Sequence, residues 1–247
     1  MENAPVISWT FSSPAPGAEP EVWDRYIKWN TEVYAPMILK LPMVSAIDLY
    51  QIVRETAEYP FFGFIIHYEN VEDRESYFET PERNAIEGEI TAWTKRGIAD
   101  FFWRGPYELT KSVRSGPVST LKEGTIIENA PFMHAEAYSL SHEEEEKYGK
   151  WLNDYGFNVF LPLFLKVPGL KGYDCFKRLN DKRVAVTKET RYPLYLSILY
   201  FEDLKAFENY ARSAEMVVYQ KGLRNVFPRG PVYKWYVQYK LIQSLRK

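Results

Sequence analysis

A chain of 247 residues is long enough to bury a full hydrophobic core, as one large domain or two modest ones. Its formal net charge of −2, from 31 basic and 33 acidic side chains, lacks the basic excess of a protein that lives on nucleic acid or an anionic membrane. No apolar run approaches the roughly 18 residues of a membrane span, and MENAPVISW lacks the basic region and apolar stretch of a signal peptide, so the expectation is a soluble, cytoplasmic protein with neither partner.

The elements repeat. Asn3, Ala4 and Pro5 match Asn129, Ala130 and Pro131 at an offset of 126, and Pro36, Lys40, Pro42 and Asp48 match Pro162, Lys166, Pro168 and Asp174 at the same offset. Tyr59, Pro60, Glu69 and Tyr77 match Tyr192, Pro193, Glu202 and Tyr210 at 133, and Gly97, Arg104, Gly105 and Pro106 match Gly222, Arg229, Gly230 and Pro231 at 125. So many ordered anchors indicate two diverged copies of one unit.

Each copy opens with a short alternating strand, residues 5–12 and 131–139. A helix follows, its apolar positions Val22, Tyr26, Trp29 and Val33 at helical spacing; in the second copy Ser141 and Glu144 form the pattern of a capping box. A proline-marked turn (LPMV, VPGL) leads to a second strand (SAIDLYQIV, KGYDCFKRL) and a strongly apolar third (YPFFGFIIHY, YPLYLSILYF). A helical region then ends at Gly97 or Gly222, and a last strand follows RGP. The order is β-α-β-β-α-β, so the predicted class is α+β with two tandem ferredoxin-like repeats, residues 1–110 and 129–247. Residues 111–128 read as a linker, with room for a small hairpin, and 180–191 as a basic insertion whose role is open between lid and solvated loop.

A tandem of such units with a W…P…PG segment after the first helix, carried here by Trp29, Pro36 and Pro42 and by Trp151, Pro162, Pro168 and Gly169, resembles the dimeric α+β barrel superfamily in a fused single-chain form. That superfamily includes EthD-like proteins, cofactor-free monooxygenases of aromatic polyketides and of the antibiotic-biosynthesis type, muconolactone isomerases, polyketide cyclases and haem-binding chlorite dismutases. The resemblance implies a pseudo-dimeric α+β barrel, a ligand pocket, and, because relatives commonly associate, a homodimer. In EthD-like relatives a histidine often stands two positions before the proline after the first helix. Tyr34 and Phe160 stand there in the two copies, so that role does not carry over.

Sites that break the internal repeat are the better functional candidates, because a small asymmetric substrate needs an asymmetric site. His134, Glu136 and Tyr138 replace Ser8, Thr10 and Ser12, and strand alternation puts them on one face, with Met133, Ala135 and Ala137 on the other. The small apolar set is expected beneath the helices and the polar set inside the barrel, with Ser8 and Thr10 facing it. A buried imidazole beside a carboxylate is a ready proton-transfer pair, which assigns His134 as general base or acid and Glu136 as its orienting partner. A solvent-facing edge or a satisfied internal hydrogen bond is the alternative. Tyr34, Tyr50, Tyr138, Asp48, His67 and Thr10 are the expected substrate contacts, although Asp48 recurs as Asp174, so at least one of that pair is structural, and His67 also fits a core histidine. On the last strand Lys234, Tyr236 and Gln238 share a face that either meets a ligand or is exposed to solvent.

There is no GxGxxG, GxxxxGK, GxSxG, HExxH or CxxC. No cofactor and no metal are expected, and the lone Cys175 reads as a core residue. The leading expectation is a cofactor-independent lyase or isomerase that acts on a small aromatic or apolar oxygen-bearing compound in a catabolic or secondary-metabolite pathway. A cofactor-free monooxygenase, a haem protein using His67 or His134, and a non-catalytic ligand-binding module stand as alternatives.

Overall fold

The computed structural model describes residues 5–54, 59–115, 127, 129–139, 142–180, 193–226 and 232–247. The first half contains β1 (Val6–Pro14), α1 (Pro20–Trp29), a π-helical segment (Asn30–Tyr34), α2 (Ala35–Leu39), β2 (Ala46–Ile52), β3 (Phe62–Tyr68), α3 (Val71–Glu79), α4 (Pro81–Lys95) and β4 (Ala99–Arg114). The second contains β5 (Phe132–Ser139), α5 (His142–Trp151), a second π-helical segment (Leu152–Phe160), α6 (Leu161–Phe164), β6 (Leu170–Arg178), β7 (Tyr195–Phe201), α7 (Leu204–Ala211), α8 (Ala214–Val226) and β8 (Val232–Arg246). Each half follows the expected β-α-β-β-α-β order, and the chain is an α+β protein of two ferredoxin-like repeats. Among the described residues no helix is long and apolar enough to cross a membrane.

Two compact units form, one from residues 1–109, 178–192 and 240–247, the other from 110–177 and 193–239. The strand order is β4-β1-β3-β2-β8 in the first and β8-β5-β7-β6-β4 in the second, so each long strand serves one unit with its first part and the other with its last. β4 runs on through residues 111–114, the start of the expected linker. Residues 116–126 and 128 of that linker, 181–191 of the insertion, Ser141 of the capping box and the second RGP lie outside the described residues.

Proline shapes the first helix of each repeat. Pro36 and Pro162 lack an N–H, and a proline ring presses on the carbonyl four residues back. Both helices widen one turn ahead of it: Ala35 N–H bonds to the Asn30 carbonyl and Leu161 N–H to that of Gly156, a five-residue step at equivalent positions. Asn70 caps α3 and Asp203 caps α7, each accepting from the backbone N–H three residues on, at 2.8 and 2.7 Å. Gly222 does not end its helix as expected; α8 continues to Val226, and a Cβ at Gly222 would stand 3.2 Å from the Phe160 ring, so this glycine serves close packing.

In the first unit the helices cover Ile47, Leu49, Phe62, Phe64 and Ile66 with Trp23, Tyr26, Tyr34 and Ile38. In the second, Tyr148, Trp151 and Leu223 pack on Tyr138, Cys175 and Tyr195. The faces of β1 and β5 are therefore the reverse of the expectation. His134 meets Phe207 of α7 and Tyr138 meets Tyr148 of α5, whereas Ala135 and Ala137 take the face away from the helices. The bulk explains it: Phe176, Ile198, Tyr200 and Tyr239 are buried in this unit too, and Ala135 stands directly opposite Ile198, so small residues fit there.

The recurring aspartates also lie away from the helices, and both are fully buried. Asp48 receives His67 Nε2 at 2.7 Å and Arg246 Nη1 at 2.6 Å. Asp174 holds Arg114 through two bonds of 2.6 and 2.8 Å, and that guanidinium lies 5.6 Å from the Tyr200 ring, at the position equivalent to His67. Burial pushes the Asp48 carboxyl up, but His67 and Arg246 outweigh it and hold it below the usual carboxylate value. A depressed folded-state pKa gives stability that is present above the unfolded value of about 3.9 and lost as the pH falls below it. Asp48→Asn should therefore flatten the fall in melting temperature below about pH 4, measured by thermal melts in an acid pH series. Arg114→Met strands a buried charge and should cost about 3–5 kcal/mol in denaturant unfolding, whereas Arg114→Met with Asp174→Leu should recover most of it.

Candidate functional site

β5 carries the site. Its period-two alternation sends Phe132, His134, Glu136 and Tyr138 towards the helices of the second unit. The His134 ring is completely buried, 4.8 Å from Phe207 and edge-on to Tyr236 at 4.3 Å. Both its nitrogens are engaged: Gln238 Nε2 lies 3.0 Å from Nδ1, and Nε2 lies 3.0 Å from Glu136 Oε1. An amide nitrogen can only donate, so Nδ1 is the acceptor and Nε2–H donates to the carboxylate. The imidazole thus fixes the orientation of Glu136.

Glu136 reaches a cavity, part of it open to solvent, enclosed by β5, β6, β7, α5, α7, α8 and the second π-helical segment with α6. Among the described residues Glu136 is its one charged lining group. Phenols supply most of the other polar atoms: the hydroxyls of Tyr138 and Tyr148 share a hydrogen bond of 2.5 Å, and Tyr173 bonds Ser197 Oγ at 2.9 Å. Burial holds the phenols of Tyr138, Tyr148 and Tyr173 well above their ordinary pKa. Burial and then the charge of Glu136 raise Tyr219, and the same two causes push Tyr236 up to about 12. All are neutral hydrogen-bonding groups at physiological pH. Apolar walls come from Leu152, Leu161, Phe164 and Leu223.

The sequence-predicted residues are not gathered at one place. Glu136 and Tyr138 line the cavity; His134 touches it through Glu136. Tyr34 and Thr10 are buried on the helix side of the first unit, where Tyr34 lies 4.9 Å from Phe64. Asp48, Tyr50 and His67 are buried on that unit's opposite face, two of them in the ion cluster. Ser197, Tyr148, Tyr173 and Tyr219 escape the sequence reading. A signal existed for one: Ser197 interrupts an apolar strand, YLSILYF, where the first copy has Phe64. Among the described residues no group of three or more His, Cys, Asp or Glu side chains is placed to hold a metal ion.

No family model matches the chain, and no curated protein matches its sequence. Among solved structures it is similar to an anthrone oxidase-like protein, with a TM-score of 0.64 and 12% identity over 99% of this chain and 93% of the other. A candidate monooxygenase from Fusobacterium nucleatum subsp. nucleatum gives 0.64 and 8% over 100% and 96%. A chlorite dismutase variant from Candidatus Nitrospira defluvii gives 0.53 and 10% over 98% and 93%. At such identities the likeness is one of architecture, an α+β fold of two ferredoxin-like repeats.

Proposed function

We propose that the second repeat is an enzyme site that binds a small, uncharged, largely aromatic molecule bearing a hydroxyl or carbonyl group, and that Glu136 moves a proton within it. The observation that carries this reading is a single oriented carboxylate among neutral phenols in an apolar cavity. With no cation in the described lining, a carboxylated ligand would bury its charge unpaired beside Glu136. A phenol or a ketone meets no such cost.

In this reading Glu136 Oε1 is held by His134 and Oε2 takes the proton from an acidic O–H, or from a C–H next to a carbonyl. The negative charge then grows on the substrate oxygen, where the Tyr138–Tyr148 pair or Tyr173 donates to it. Returning the proton to another carbon completes an isomerisation, and expelling a leaving group completes a lyase reaction. Capture of the carbanion by dioxygen is the oxygenase reading, favoured by the names of the anthrone oxidase-like protein and the candidate monooxygenase. A haem reading needs a histidine nitrogen directed at iron; both nitrogens of His134 are engaged, whereas His67 gives Nε2 to Asp48 and keeps Nδ1 without a hydrogen-bond partner among the described residues.

On a panel of anthrones, naphthols and cyclic enones, Glu136→Gln should lower kcat by about 10²- to 10⁴-fold at unchanged melting temperature. Turnover at the wild-type rate would sink the assignment, and an oxygen electrode during turnover separates oxygenase from isomerase and lyase. His134→Leu should lower kcat with little change in KM, since it removes the group that orients Glu136 and leaves the cavity walls in place.

A further inference from the structure

The two repeats differ where the space beneath the helices is either filled or left open. On the first strands Thr10 stands opposite Phe64, and the equivalent pair in the second unit is Glu136 opposite Ser197. On the helices the five-residue bonds make Asn30 equivalent to Gly156, and Tyr26, four residues earlier, is equivalent to Leu152. In the first unit these positions are filled: Phe64 is buried against Tyr34 at 4.9 Å, Tyr26 is buried against Phe62 at 6.1 Å, and the Asn30 amide bonds the Tyr26 carbonyl at 2.8 Å. In the second, Ser197, Leu152 and Gly156 are all smaller, and all three line the cavity.

We propose that Ser197 and Gly156 set the size of ligand that this protein admits. Ser197 stops short of the volume that a phenyl ring occupies in the first unit, and its hydroxyl fixes Tyr173 at 2.9 Å. Gly156 lets Leu152 lie back on the π-helical turn: a Cβ there would come 2.9 Å from Leu152 Cδ1 and turn that flexible side chain into the cavity. In the first repeat the counterpart of this space is occupied by Phe64 and Tyr26. The assignment rests on the cavity being the ligand site, as in the reading above.

The test uses pressurised xenon in crystals and calorimetric binding of 2-naphthol and phenol. Wild type should hold xenon beside Ser197 and bind 2-naphthol. Ser197→Ala should bind it within about tenfold of wild type, whereas Ser197→Leu and Ser197→Phe should lose the xenon site and weaken binding by about a hundredfold or more. Gly156→Ala should discriminate against 2-naphthol while keeping phenol. The proposal is overturned if either bulky variant, folded by its melting curve, keeps the xenon site or binds 2-naphthol like wild type, or if wild type takes up neither probe. If bulky variants exclude both probes but Glu136→Gln leaves turnover intact, the catalytic reading falls and the size gate stands. Glu136→Gln losing turnover while Ser197→Phe binds normally gives the reverse.

Discussion

A carboxylate beneath a layer of aromatic side chains is tolerated only where something answers its charge, and at Glu136 the answer is one imidazole N–H. That proton is on Nε2 because Gln238, on a different strand, occupies Nδ1 as a donor. The chain of dependence runs outward from there. β8 must lie beside β5 for Gln238 to arrive, and Tyr236 and Phe207 must close around the ring for it to stay dry. The imidazole orients the carboxylate, and among the described residues Glu136 is the one charged group lining the cavity.

Two different devices thus handle buried carboxylates in this molecule. Asp48 and Asp174 face guanidinium groups at 2.6 Å and are spent on structure, each binding a long strand to its neighbour. Glu136 pairs instead with the imidazole of His134 and reaches a cavity. The repeat makes the contrast visible: the aspartates occur in both copies, and the glutamate in one.

Much of the fold was legible because repetition and period-two alternation are properties of the chain itself. Which residues share a face of β5 followed directly from the sequence, and the H-x-E-x-Y stretch led to the cavity. Which way that face turns did not follow. Polar residues are normally read as avoiding a helix interface, yet here the helices bring tyrosine hydroxyls to meet them, while the opposite face takes alanines opposite Ile198. Tyr34, Asp48, Tyr50, His67 and Thr10 were plausible by type, but register distributes them over two faces of the other unit, and register depends on pairing that no single strand encodes. Gly222 misled for a related reason: a glycine that admits a neighbouring ring looks the same in sequence as one that ends a helix.

β8 belongs to the second unit up to Tyr239 and to the first from Lys240 onward. The residues that complete the sheet of the first unit are therefore made after the whole of the second. Until they emerge from the ribosome, β2 has an uncovered edge and Asp48 has His67 without Arg246. The first repeat has to wait, partly formed, for a piece of chain that arrives almost two hundred residues after β2, a separation of the kind that slows folding.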